Sequence, residues 1–289
     1  MSPNSFSRPF GRPGVAVPII GQGTWKMGEP STRATEIAAL REGVEAGLVH
    51  IDTAEMYGNG ASEEIISEAI AGLPRAELFI VSKVLPQNAT YQGTIAACEA
   101  SLRRLKTDYL DCYLLHWRGR RPLAETLRAF EDLVDAGKIR SLGVSNFDVE
   151  DLDEARGLLQ RHPLACNQVL YHLRERYLER ALLPYCLRHE IALVGYSPFG
   201  PEGFPGPASS QGQVLATVAA RHGARATPRQ VALAFLARQP PLFTIPKGGR
   251  PEHARENAEA LQLRLTPQDI EEIDQAFPVA TANGDLPMA

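Results

Sequence analysis

The sequence predicts an α/β chain closing into a single-domain (β/α)8 TIM barrel over residues 1–289, and three observations lead there. From about residue 15 onward, short apolar runs alternate with longer helical patterns. Eight such runs occur, and most are followed by a helix before the next, which means parallel strands with helical crossovers. The run starts at 48, 78, 109, 139, 165 and 192 recur about every 26–31 residues, and eight units in 289 residues suit a barrel of roughly 250 residues. The competing doubly wound sheet usually carries G-x-G-x-x-G after its first strand. Here Gly21-Gln22-Gly23-Thr24-Trp25-Lys26 fails at its last position, and no Walker A motif occurs.

Taken in order, residues 17–20 are the first expected strand. A helix over 33–46 follows, with Ile37, Leu40 and Val44 on one face. Residues 48–54 are the second strand, then a helix over 62–71. Residues 78–84 are the third, then a helix carrying Ile95, Cys98, Leu102 and Leu105 at three- and four-residue steps. Residues 109–116 are the fourth, then a helix with Leu123, Leu127, Phe130 and Val134. Strands over 139–144, 165–170 and 192–196 alternate with helices over 149–160 and 177–189. After 196 the spacing breaks, and residues 198–207 are rich in Pro and Gly, which is loop chemistry. We expect an active-site loop over 199–211, then helices over 212–222 and 228–238. Thr227-Pro228 and Thr266-Pro267 read as N-caps followed by proline at the first helical position. The eighth strand is 242–245, with a helix over 252–261. Residues 1–16 form an N-terminal arm or hairpin, and 277–289 a C-terminal tail.

Composition narrows the function classes. With 44% hydrophobic residues the chain can bury a large core. A net charge of -4 makes no case for nucleic acid or an anionic membrane. No apolar run nears the roughly 20 residues that span a bilayer, and the N-terminus lacks a signal-peptide pattern. Cys98, Cys112, Cys166 and Cys186 never approach C-x-x-C spacing, so reduced thiols in a cytoplasmic protein are expected. Nothing shows an oligomerisation seam, and a monomer is the expectation.

In such a barrel the active site lies at the C-terminal strand ends. Asp52, Lys83 and His116 end the second, third and fourth runs. Ser145 and Asn146 follow the fifth, Asn167 and Gln168 lie in the sixth, Tyr196 and Ser197 end the seventh, and Lys247 follows the eighth. Tyr57 sits five residues past Asp52, in a Gly/Asn-rich turn. Each alone reads as a cap, a core group or a rim charge; one rim collecting them all favours function. Tyrosine is a weak acid, with a pKa near ~10. A lysine ammonium beside it is expected to lower that value, an aspartate to hold the lysine, and a histidine to orient a substrate oxygen. Tyr57 is then a general acid for an oxygen gaining negative charge, and hydride delivery to a carbonyl is the matching reaction. No metal site is expected: His50, Asp52 and His116 lack ligand spacing, and His50 is expected on the opposite strand face from Asp52.

The chain resembles the aldo-keto reductases, in a bacterial branch, from about residue 17 to 277. His50-Ile51-Asp52-Thr53-Ala54-Glu55-Met56-Tyr57-Gly58-Asn59 resembles the family's first signature. The stretch from Leu102 through Asp108-Tyr109-Leu110-Asp111 to His116-Trp117 resembles its second, and Ile245-Pro246-Lys247-Gly248 with Glu256-Asn257 its third. The resemblance implies NADPH, with NADH as the alternative, and reduction of aldehydes or ketones to alcohols. It implies a catalytic tetrad of Asp52, Tyr57, Lys83 and His116. It implies Tyr196 under the nicotinamide, Ser145, Asn146 and Gln168 on its carboxamide, and Gly23, Thr24, Asp52 and Ser197 close by. Lys247, Gly248, Arg250, His253 and Asn257 fall toward the adenosine end, and Trp25, Tyr57, His116 and Trp117 line the substrate pocket.

The family often has arginine at the position of His253 and serine at that of Gly248. Arg250 is then the candidate cation for the 2′-phosphate. The resemblance implies that loops 117–122 and 199–211 and the tail 277–289 set the substrate, and a short tail then implies an open pocket. Small or medium carbonyls, including 2-oxoaldehydes such as methylglyoxal, fit that reading. Two other classes stay open: a Schiff-base lyase using Lys83 or Lys247, and a cofactor-binding regulatory subunit like the potassium-channel β-subunits.

Overall fold

A computed structural model describes residues 6–279 and 286–288. An antiparallel hairpin, β1 (Ser7–Pro9) and β2 (Ala16–Pro18), precedes eight parallel strands. These are β3 (Gln22–Gly23), β4 (His50–Asp52), β5 (Phe79–Val84), β6 (Cys112–Leu115), β7 (Leu142–Ser145), β8 (Leu164–Leu170), β9 (Ala192–Tyr196) and β10 (Leu242–Ile245). Neighbours follow sequence order from β3 to β10, and bridges Ile20–Thr244 and Gly23–Lys247 join the two ends into a barrel. The first expected strand, 17–20, is therefore displaced. Residues 16–18 pair with β1, and the barrel's first strand is the two-residue β3. Close backbone approach explains the shift: a Cβ at Gly23 would lie 2.6 Å from the Ile245 carbonyl oxygen, so this seam closes only over glycine.

The helices are α1 (Arg33–Glu45), α2 (Ala61–Ala69), α3 (Tyr91–Leu105), α4 (Leu123–Asp135), α5 (Val149–Leu158), α6 (Leu182–Arg188), α7 (Ser210–Arg221), α8 (Pro228–Leu236), α9 (Pro251–Glu259) and α10 (Pro267–Ala276). Both threonine–proline pairs start helices with reciprocal capping boxes, Thr227 with Gln230 and Thr266 with Asp269. The helix expected over 177–189 begins only at Leu182, after a 3-10 turn over Tyr177–Glu179. Among the described residues, no helix is long and apolar enough to cross a membrane.

Strand alternation sorts the core into two layers. Ile51, Ile80, Tyr113, Leu115 and Val144 face the helices, while Phe79, Val81, Cys112, Leu114, Cys166, Val194 and Phe243 fill the barrel. The hairpin closes the floor: Phe10 packs on Phe79 and Phe243 at 4.7 and 5.1 Å between ring centroids. His50 and Asp52 do not face opposite ways. Residues two apart in a strand share a face, and both point into the barrel at different depths. His50 lies on the floor, edge-on to Phe10 and Phe79, and burial, helped by Lys83, pushes its pKa down to about 3.

Candidate active site

The upper end of the barrel collects the polar residues. Asp52 ends β4, Lys83 is the penultimate residue of β5, and His116 follows β6 directly. Tyr57 opens a 3-10 turn beyond β4, where Gly58 and Asn59 take positive φ values of 56° and 53°. That tight left-handed turn swings the phenol back over the barrel mouth. Lys83 Nζ donates to Asp52 Oδ1 at 2.6 Å, to the Thr53 carbonyl at 2.8 Å and to the Tyr57 hydroxyl at 3.4 Å. The Tyr57 and His116 rings meet edge to face, 5.7 Å apart.

Burial sets the electrostatics of this group. Lys83 is 0% exposed; burial pulls its pKa down, but the charges and hydrogen bonds of Asp52 and Tyr57 outweigh it, and the net shift is upward. Asp52 is raised by burial, against the pull of Lys83 and Gln168. His116 is pushed down to about 3 by burial and by Lys83, so its ring is neutral at physiological pH. The expectation for Tyr57 needs correction. Its phenol is raised on balance, because burial, joined by the negative charge of Asp52, outweighs the lowering exerted by Lys83. Lys83 still makes Tyr57 a stronger acid than burial alone would leave it.

A cleft of about 500 Å³ opens over these groups. Gly23, Thr24, Trp25, Asp52, Tyr57, His116, Trp117, Ser145, Asn146, Gln168, Tyr196, Ser197 and Lys247 all line it. Gly248, Arg250, His253 and Asn257 do not. They lie beyond β10, and Arg250, the N-cap residue of α9, donates to His253 Nε2 at 2.9 Å. Thr24 uses its hydroxyl on the Asp52 carbonyl at 3.0 Å. Asn146 stands at φ 59°, in the left-handed region; its Nδ2 donates to the His116 carbonyl at 3.2 Å and its Oδ1 accepts from the Tyr196 hydroxyl at 3.0 Å. Lys247 Nζ donates to the Lys26 carbonyl at 2.6 Å and lies 3.7 Å from Glu36. Each of the three expected loops contributes to the wall: Trp117 from 117–122, Phe199, Gly200 and Pro201 from 199–211, and Met288 from the tail, of which residues 280–285 and 289 lie outside the described residues. Lys26 and Met56 line the cleft too; their sequence neighbours Trp25 and Tyr57 were legible, but no pattern marks these two. Among the described residues, no cluster of three or more His, Cys, Asp or Glu could hold a metal ion.

Comparison with known proteins finds relatives over nearly the whole chain. The chain is 44% identical over 275 residues to methylglyoxal reductase YeaE of Escherichia coli, covering 95% of this chain and 96% of that one. It is 37% identical over 270 residues to a glyoxal reductase of Bacillus subtilis, covering 90% and 89%. A crystal structure of an aldo-keto reductase from Klebsiella pneumoniae in complex with NADPH superposes with a TM-score of 0.90 at 43% identity, covering 98% and 99%. The Aldo/keto reductase family profile matches residues 19–277. With eight parallel strands, a polar upper rim and relatives matched nearly end to end, the chain belongs to the aldo/keto reductase family.

Proposed function

We propose that this protein reduces small or medium aldehydes and ketones to alcohols with NADPH, using Tyr57 as the general acid. The observation that carries this reading is the buried Lys83 ammonium, held between Asp52 and the Tyr57 hydroxyl at the floor of the cleft. A carbonyl oxygen that gains negative charge takes the Tyr57 proton, and the charge left on the phenol oxygen sits 3.4 Å from Lys83 Nζ. His116, neutral, orients the carbonyl oxygen without adding a second positive charge. Bound NADPH supplies the hydride.

The residues present suit that cofactor. Ser145, Asn146 and Gln168 offer hydroxyl and amide groups on one wall beside the Tyr196 ring, which fits a flat ring carrying a carboxamide. Lys247 stands in the cleft and Arg250 beyond it, cations of the kind that phosphates need. Gly23, Thr24, Asp52, Ser197, Gly248, His253 and Asn257 complete the proposed contacts, and Trp25, Trp117, Tyr57 and His116 those to substrate. The aromatic walls and the relatives that reduce methylglyoxal and glyoxal support small 2-oxoaldehydes as substrates. Three acceptors around Lys83 favour the ammonium over the free amine a Schiff base requires. A cytoplasmic monomer that binds neither nucleic acid nor membrane completes the proposal, and light scattering on the eluting protein tests its mass.

The test follows oxidation of NADPH and of NADH with methylglyoxal and 4-nitrobenzaldehyde. Aldehyde-dependent oxidation, faster with NADPH, supports the reading. A borohydride-trapped lysine adduct, or tight NADPH binding without turnover of any carbonyl, would sink it in favour of a lyase or a regulatory subunit.

A further inference from the structure

Gln168 makes a contact that a role at the cofactor alone does not require. Its Nε2 donates to Asp52 Oδ2 at 2.7 Å, while Lys83 Nζ donates to Oδ1 at 2.6 Å. The carboxylate can only accept, so the NH2 side of the amide must face it, which leaves Gln168 Oε1 out of that contact. The residue is anchored in mid-β8, and its own carbonyl accepts from the Asn146 amide and the Ser145 hydroxyl, each at 2.8 Å. Asp52 is 1% exposed, so water is not at hand to replace a lost donor.

We infer that Gln168 is a positioning residue for the acid, linking the cofactor's wall of the cleft to Tyr57 through Asp52 and Lys83. The inference rests on the reductase reading above. The groups around Asp52 leave little else to stabilise its charge. Lys83 comes from β5, Tyr57 from the turn after β4, and His116 from the end of β6. Cys112 on β6 and Cys166 on β8 are thiols kept protonated by burial, Cys112 pushed up to about 12, and His50 below is neutral. Lys83 and Gln168 are therefore the side-chain donors to a buried carboxylate. Without the Gln168 N–H the carboxylate keeps Lys83 as its side-chain donor, and the ammonium is drawn onto Asp52 Oδ1 at 2.6 Å and away from the Tyr57 hydroxyl, its longer contact at 3.4 Å. Tyr57 then loses part of the positive charge that favours its phenolate. A ligand amide that bonds Gln168 Oε1 fixes the orientation of the same amide that holds Asp52.

The test uses the cofactor-free protein labelled with 13C-tyrosine, in which the Tyr57 resonance is assigned by its loss in Tyr57→Phe. Gln168→Met keeps the side-chain length and removes the donor. The expected result is an upward move of the Tyr57 titration by about one pH unit, a roughly tenfold loss of phenolate at a given pH. Gln168→Glu moves it upward as well, because an ionised carboxylate faces Asp52. Its kcat relative to wild type recovers on acidification, when the protonated side chain donates again, and that of Gln168→Met does not. NADPH affinity, read by fluorescence quenching, is measured alongside. Weaker NADPH binding with an unchanged Tyr57 titration would overturn the inference, leaving Gln168 a cofactor contact only. If Gln168→Met does not fold, Gln168→Glu carries the same titration, and an unmoved resonance there overturns it equally. If the wild type reduces no carbonyl, the reductase reading fails while the titration still reports on Gln168.

Discussion

Replacing Lys83 by methionine keeps most of the buried stem and deletes the ammonium. Asp52 then faces the barrel interior with Gln168 as its remaining side-chain donor. Breaking one partner out of a buried ion pair costs about 3–5 kcal/mol, mostly the penalty of the charge left behind. At a few degrees per kcal/mol, the melting temperature falls by roughly 10 °C. The sign of the pH effect follows from burial, which raises the Asp52 pKa further once Lys83 is gone. An acid whose folded pKa is raised loses stability as pH climbs above its unfolded value, so the deficit is larger at alkaline than at mildly acidic pH. Asp52→Asn in the same chain removes the stranded charge, and the double variant should recover about 2 kcal/mol or more of the loss. Urea unfolding of wild type, both single variants and the double variant closes the cycle. A single-variant cost under about 1 kcal/mol, or a double variant no better than Lys83→Met, would refute the claim that these two charges are buried as a pair.

Three further outcomes follow from the same structure. His50, with its folded pKa pushed to about 3, binds its proton in the unfolded chain first, so wild-type stability falls as pH drops from about 6.5 toward 3. His50→Leu should flatten part of that slope, on the order of 4 kcal/mol over the range, and an unchanged slope in acid unfolding counts against it. Gly21→Ala places a Cβ 2.8 Å from the His50 carbonyl oxygen and 2.9 Å from its ring, and should cost about 1–3 kcal/mol by thermal melting. Arg250→Ala should weaken NADPH binding about tenfold and NADH binding far less, by fluorescence quenching; equal losses would remove Arg250 from the 2′-phosphate.

The sequence carried some of this site in plain view and hid the rest for physical reasons. Asp52, Lys83 and His116 were legible because each closes an apolar run with a lone ionisable group, and the barrel rule sends such ends to one rim. The first barrel strand was not, since β3 is two residues of Gln and Gly whose pairing depends on close backbone approach, while the more apolar 16–18 serves the hairpin. The shared face of His50 and Asp52, contrary to the opposite faces expected, follows from the two-residue period of a strand. The direction of the Tyr57 shift was not readable, because it turns on how deeply the phenol is buried against how near Lys83 comes. Nor was the Gln168–Asp52 bond, which joins strands β4 and β8 across the barrel interior and leaves no local pattern.

Proton delivery by Tyr57 is tested most directly by Tyr57→Phe. The variant keeps the ring against His116 and removes the hydroxyl that Lys83 touches. Methylglyoxal-dependent NADPH oxidation and NADPH quenching are measured side by side with wild type. If Tyr57 is the acid, turnover falls at least about 100-fold with the NADPH dissociation constant little changed. A Tyr57→Phe protein that still turns over at near the wild-type rate would contradict it.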